Sequence, residues 1–256
     1  RLAGALPKRK GPNILRSPIL GEFMGTAMLI LLGDGVVAAV LLKRTKAESA
    51  GWMVITTGWC FAVLCGIFTA ILFGSPDAHI NPAITLAFAI SGHDYSKLLP
   101  YTTAQVGGAF FGAVLVWLFY LPHWPETEAQ ESKLGVFCTA PAIRNYPANL
   151  FCEAVATIVL VIVVGAMTSK LVLSNGAAAG VSPYLISCLI WSIGLSLGAT
   201  TGYAINPARD LGPRLAHAVL PIAGKGDSDW PYAWVPVVGP FLGAGIAGVV
   251  LHFLGA

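Results

Sequence analysis

The chain has 256 residues, 56% of them hydrophobic and only 11% charged, against roughly 25% charged in an ordinary soluble domain. Spread over the whole length, that composition specifies an integral membrane protein whose solvent is the lipid bilayer. The net charge of +3 is too small to argue for a nucleic-acid partner.

The chain opens on Arg1, as a trimmed sequence would, and its basic start (Lys8, Arg9, Lys10, Arg16) precedes an apolar run in the manner of a signal peptide. The run from Ile19 to Leu42 is too long for a signal core and lacks a convincing cleavage site, so it is a first span. Six stretches have spanning length: 19–42, 51–73, 98–121, 150–170, 182–202 and 233–254. Two shorter apolar segments, 81–91 and 206–220, are half-helices. Loops fall at 43–50, 92–97, 122–148, 174–180 and 222–231. The longest, 122–148, holds Glu126, Glu128 and Glu131 and must join two halves over one membrane face. The expected fold is all-α: one domain, with a first repeat over 19–121, the connecting loop, and a second repeat over 149–254. Five cysteines (Cys60, Cys65, Cys138, Cys152, Cys188) are odd in number and lack ligand spacing. They give no disulfide framework and no metal site.

The halves repeat. Gly21-Glu22-Phe23-Met24-Gly25-Thr26 is echoed by Cys152-Glu153-Ala154-Val155-Ala156-Thr157, and Ile80-Asn81-Pro82-Ala83 by Ile205-Asn206-Pro207-Ala208. The stretch around Gly108-Ala109 returns around Gly243-Ala244. Three spans per half is an odd number, so the second half is inserted upside down, an inverted repeat whose broken helices meet near the midplane. Lys/Arg counts do not settle orientation. The basic tail pulls one way, and Lys43, Arg44 and Lys46 in the first loop pull the other.

Asn followed by Pro is a helix start in two residues. Asn caps a free backbone N–H, and Pro suits the first helical position. About ten residues after Asn81 come turn signals, so the helix is roughly 15 Å long, about half a bilayer core. Two such N-termini facing each other present about half a positive charge each, which repels cations and protons where little water screens them. With each side-chain oxygen capping its helix, the amides of Asn81 and Asn206 are expected to be free donors to a passing hydroxyl. Arg209 follows Asn206 by three residues and shares its helix face. A guanidinium in a membrane segment is costly and belongs on a water-filled path, where it offers a fixed fork of donors; a structural salt bridge is the alternative. The matching residue in the first half is Ile84, so the arrangement is one-sided.

Two Asn-Pro-Ala boxes in an inverted six-span repeat, with Glu22 and Glu153 in spans one and four, resemble the aquaporin family of channels. The second box continues Arg209-Asp210, which looks like the aquaglyceroporin, or glycerol facilitator, branch. The resemblance runs from about Leu20 to the end. It implies a passive channel for glycerol, water and other small neutral solutes such as urea, dihydroxyacetone or neutral organic acids. It also implies a homotetramer in the plasma membrane with both termini cytoplasmic, and no cofactor. By position, Gly194 matches the small residue that widens the filter of glycerol facilitators, and Tyr203 stands where they usually carry Phe. Trp59 matches the aromatic of span two, with Trp52 and Phe61 as competitors because the link before Asn81 is two residues longer than usual.

Glu22 and Glu153 are intramembrane carboxylates and therefore functional candidates. The favoured role is support, each accepting N–H groups of its half's re-entrant loop; proton relay is the alternative. Asp34 either lines the outer vestibule or bonds neighbouring backbone. His79 is placed on the pore lining, with a structural histidine as the rival reading, and His93 and His217 are read as interfacial. Gly108 and Gly112, like Gly239 and Gly243, are spaced four apart for close helix packing within the monomer. No phosphate loop, metal cluster or nucleophile–base pair suggests catalysis. A water-selective channel and a coupled secondary transporter, which also uses inverted repeats, are the rivals. Gly194 and Asp210 argue against the first, and the small set of intramembrane ionisable groups against the second.

Overall fold

The computed structural model describes residues 16–176, 178 and 180–255; Lys8, Arg9 and Lys10 lie outside them. Among the described residues every regular element is helical. The long helices are α1 (Pro18–Leu41), α2 (Trp52–Leu72), α4 (Leu98–Phe119), α6 (Tyr146–Thr168) and α9 (Val235–Leu254), all apolar enough to cross a membrane. The half-helices are α3 (Pro82–Gly92) and α8 (Pro207–Val219). Four of these starts share one chemistry. Ser17, Asn81, Asn145 and Asn206 each cap with a side-chain oxygen, and each helix carries Pro in its first two positions.

Two elements differ from the sequence reading. The fifth span, expected over 182–202, is the shorter α7 (Val181–Ser196). At 1.5 Å per residue its 16 residues reach about 24 Å. The helix stops because Leu197–Thr201 must turn into the second re-entrant loop, a turn closed by the Gly202 N–H donating to the Gly198 carbonyl at 2.8 Å. The loop 122–148 is more than a connection, since it folds a helix of its own, α5 (Gln130–Phe137). Trp124 and Phe137 are buried and stack with centroids 5.6 Å apart.

Small residues let the helices close on one another. A Cβ on Gly108 would lie 2.2 Å from the Phe23 carbonyl oxygen of α1, and one on Gly243 2.3 Å from that of Ala154 on α6. These are equivalent contacts in the two halves. The halves also interlock: Gly212 of α8 seats on the backbone of Val106 and Phe110 in α4, and Gly248 of α9 seats on Ala87 of α3. Each half-helix therefore packs on the third span of the opposite half, which brings both Asn-Pro starts to the centre. Large apolar side chains such as Leu99, Phe119 and Phe253 point outward, as a lipid-facing surface requires.

Candidate solute path

The two helix starts are joined by a reciprocal clasp. The Asn81 amide nitrogen donates to the Ile205 carbonyl at 2.8 Å, and that of Asn206 to the Ile80 carbonyl at 2.9 Å. Their side-chain oxygens accept from Ala83 N at 2.8 Å and from Ala208 N at 3.0 Å, respectively. This corrects the expectation of free amides. One hydrogen of each NH₂ is committed to the partner loop, and only the second is left for a solute. Pro82 and Pro207 occupy the first helical positions, and Ala83 and Ala208 are fully buried beside them.

The loops entering the clasp are strained in the same way. Ala78 (φ 46°) and Ile80 (φ 44°) are left-handed in the first half, Tyr203 (φ 38°) and Ile205 (φ 42°) in the second. A β-branched residue there costs about 1–3 kcal/mol and persists only where its surroundings over-determine it. Buried carboxylates do so. Glu22 accepts from His79 N (2.9 Å), Ile80 N (2.7 Å), Ser75 Oγ (2.6 Å) and Gln105 Nε2 (2.8 Å). Glu153 accepts from the equivalent Ala204 N (3.0 Å) and Ile205 N (2.9 Å).

Around the clasp runs a cavity of about 460 Å³, lined at one end by Trp59, Tyr203 and Arg209 and at the other by His79, Asp94 and Lys97. Arg209 lies over the Trp59 ring, 4.3 Å from its centroid, within cation–π range. Asp34 Oδ1 is 3.7 Å from its Nη1. Asp34 is fully buried with no hydrogen-bond partner on either oxygen among the described residues, so it neither lines a vestibule nor bonds neighbouring backbone. Trp59 is the aromatic at Arg209. Trp52 stands behind Tyr203, edge-on at 5.8 Å, and donates to the Gly194 carbonyl at 3.0 Å, while Phe61 is 53% exposed on the outer surface.

Gly194 does not border the cavity as open space. A Cβ there would lie 2.9 Å from Tyr203 Cζ, and one on Gly198 2.4 Å from Tyr203 Cδ1. The two glycines house the tyrosine ring, whose hydroxyl is buried without a partner among the described residues. Sequence reasoning missed Gly198, which the close spacing Gly194, Gly198, Gly202 signals.

Asp210 does not line the cavity either. It is fully buried and accepts from Thr139 N (2.8 Å), Thr139 Oγ1 (2.6 Å) and Arg214 Nε (2.7 Å). Arg214 in turn donates to the Ser228 and Asp229 carbonyls at 2.6 and 3.1 Å. The acid after Arg209 thus ties α8 to loop 122–148 and to the loop before α9. The i, i+4 spacing of Asp210 and Arg214 is the signal that finds this pair. His79 bonds Thr85 Oγ1 at 3.1 Å and stacks on Phe88 at 5.5 Å. His93 is the left-handed cap of α3, against His252. His217 is fully buried, not interfacial, and bonds Ser228 Oγ at 2.9 Å.

A helical membrane bundle whose two half-helices meet start to start beside a lined cavity has the architecture of a solute channel. A family model described as major intrinsic protein matches residues 10–251. The chain is 54% identical over 239 residues to the probable glycerol uptake facilitator protein of Thermotoga maritima, covering 92% of this chain and 98% of that one. It is 51% identical over 237 residues to glycerol uptake facilitator protein 3 of Lactiplantibacillus plantarum, covering 92% and 96%. Among solved structures it is similar to the aquaglyceroporin of Plasmodium falciparum, with TM-score 0.79, 27% identity and coverage of 91% and 93%. The chain belongs to the major intrinsic protein family, in its aquaglyceroporin branch.

Proposed function

We propose that the chain is a passive channel conducting glycerol, other small uncharged solutes and water while excluding protons and ions. The observation that carries this reading is the meeting of Arg209, Trp59 and Tyr203 beside the Asn81–Asn206 clasp on one cavity. Arg209 offers donors to a hydroxyl oxygen, the aromatic faces hold the C–H edge, and the second amide hydrogen of each Asn serves the next hydroxyl. The two helix starts repel cations at the centre. Glu22 and Glu153 hold the loops, and Pro82, Ala83, Pro207 and Ala208 build the helix starts. Gly194 acts by housing Tyr203, His79 lines the opposite half, and Asp210 supports from outside the lumen. High identity to glycerol uptake facilitators over more than 90% of both chains supports glycerol as the solute. Urea, dihydroxyacetone and neutral organic acids belong to the same chemical class.

Residues 19–254 are proposed to form one channel unit, a subunit of a homotetramer in the plasma membrane with both termini cytoplasmic, as the family resemblance implies. The reading involves no cofactor and no reaction on the solute. Its test is solute flux in proteoliposomes against concentration and ion gradients. A linear, unsaturating glycerol flux with no response to a proton or sodium gradient supports it. Saturation with gradient coupling makes the chain a secondary transporter instead.

A further inference from the structure

Asp34 takes no part in the solute contacts of that function. It sits on α1 between Gly33 and Gly35, fully buried, and neither carboxylate oxygen has a hydrogen-bond partner among the described residues. Buried carboxylates are ordinarily tied down by several donors, as Glu22 and Asp210 are here. Among the described residues Asp34 has only a charge in front of it: Arg209 Nη1 at 3.7 Å, itself without an acceptor there. The neighbouring carboxylate is not free to serve Arg209, because Asp210 is engaged by Arg214 Nε at 2.7 Å and Nη2 at 3.0 Å.

The repeat sharpens the point. Gly165 stands where the second half would carry Asp34, and Ile84 where the first half would carry Arg209. Each half thus contributes one charge that breaks the symmetry, and the two charges lie together. A buried guanidinium needs a counter-charge.

We propose that Asp34 sets the charge selectivity of the Arg209 site. It cancels the net positive charge, so that the site takes uncharged hydroxyl-bearing solutes and gives small carboxylate anions no foothold. Asp34 acts through Arg209 and is a positioning residue. The inference rests on the reading that Arg209 lies on the solute path.

The test is glycerol flux in proteoliposomes at neutral pH against rising sodium formate, osmotically matched. The variants are Asp34→Asn, Asp34→Glu, and Asp34→Asn combined with Arg209→Leu. With the counter-charge removed, half-inhibition of Asp34→Asn by formate is expected at a concentration at least about tenfold lower than for the wild type. Asp34→Glu restores the wild-type response, and the double variant loses the sensitivity with the cation. An Asp34→Asn channel that conducts glycerol and responds to formate as the wild type does overturns the proposal. Should Asp34→Asn not fold, Asp34→Ser carries the same comparison. Failure of the wild type to conduct glycerol would overturn the channel reading instead, so the two failures are distinguishable.

Discussion

The ring of Tyr203 fills the room that Gly194 leaves, with no space for a single carbon between them: a Cβ on Gly194 would lie 2.9 Å from Cζ and 3.0 Å from the hydroxyl. The width of the cavity at Arg209 therefore depends on where this ring is held, and the absence of a side chain at 194 acts through it.

Gly194→Ala is expected to push the Tyr203 ring toward the lumen, because Thr56 Cγ2 closes the other side at 3.0 Å. Gly194→His does so more strongly. Glycerol flux should fall more than water flux in both, measured by stopped-flow light scattering of the same proteoliposomes. Equal loss of the two would mean misfolding and remove Gly194 from the account.

Tyr203→Phe removes a buried hydroxyl with no partner among the described residues, a group whose burial costs about 1–3 kcal/mol when left unsatisfied. Thermal unfolding in detergent should show unchanged or higher stability, with glycerol flux retained. A clear loss of glycerol flux at unchanged stability would place the hydroxyl on the solute instead.

Glu22→Gln puts an amide NH₂ where donors converge from His79 N, Ile80 N, Ser75 Oγ and Gln105 Nε2. Hydrogen bonds to a charged group are worth about 1.5–3 kcal/mol each, so losing one or two destabilises by several kcal/mol. Because the strained Ile80 is released, water and glycerol flux should fall together, alongside a lower unfolding temperature. Selective loss of proton-dependent flux alone would favour the relay role.

Asp210→Ala leaves the fully buried Arg214 unpaired, which costs about 3–5 kcal/mol. It also frees Thr139, so limited proteolysis should cut loop 122–148 faster. The nearby Arg144–Asp229 pair is partly exposed. By thermal unfolding in detergent, Asp229→Asn should cost less than Asp210→Ala, about 1 kcal/mol. Comparable losses for the two variants would show that the buried pair is not the anchor.

Local grammar made much of the architecture legible. Asn-Pro doublets mark the starts of α3 and α8 because the cap and the fixed φ are chemistry of adjacent residues. The glycine spacings likewise announce where α4 and α9 press on α1 and α6. What stayed hidden involves partners distant in sequence. The Asn81–Ile205 and Asn206–Ile80 bonds cross between halves, and Asp34 meets Arg209 from another helix. A glycine reads as open space until a ring from another segment, here Tyr203, is found inside it. The short α7 was hidden for a different reason, since Leu197–Thr201 is apolar enough to continue a span and only the re-entrant turn stops it. In loop 122–148, burial of Trp124 and Phe137 rather than helix periodicity orders α5.

The measurement that bears most directly on the central claim is stopped-flow light scattering of proteoliposomes, with water and glycerol permeation recorded in one preparation. A wide path past Trp59, Tyr203 and Arg209 predicts rapid shrinkage in a glycerol gradient followed by rapid re-swelling as the solute enters. Shrinkage in sucrose and in glycerol without re-swelling would mean that Tyr203 closes the path to polyols, and the chain would be a water channel.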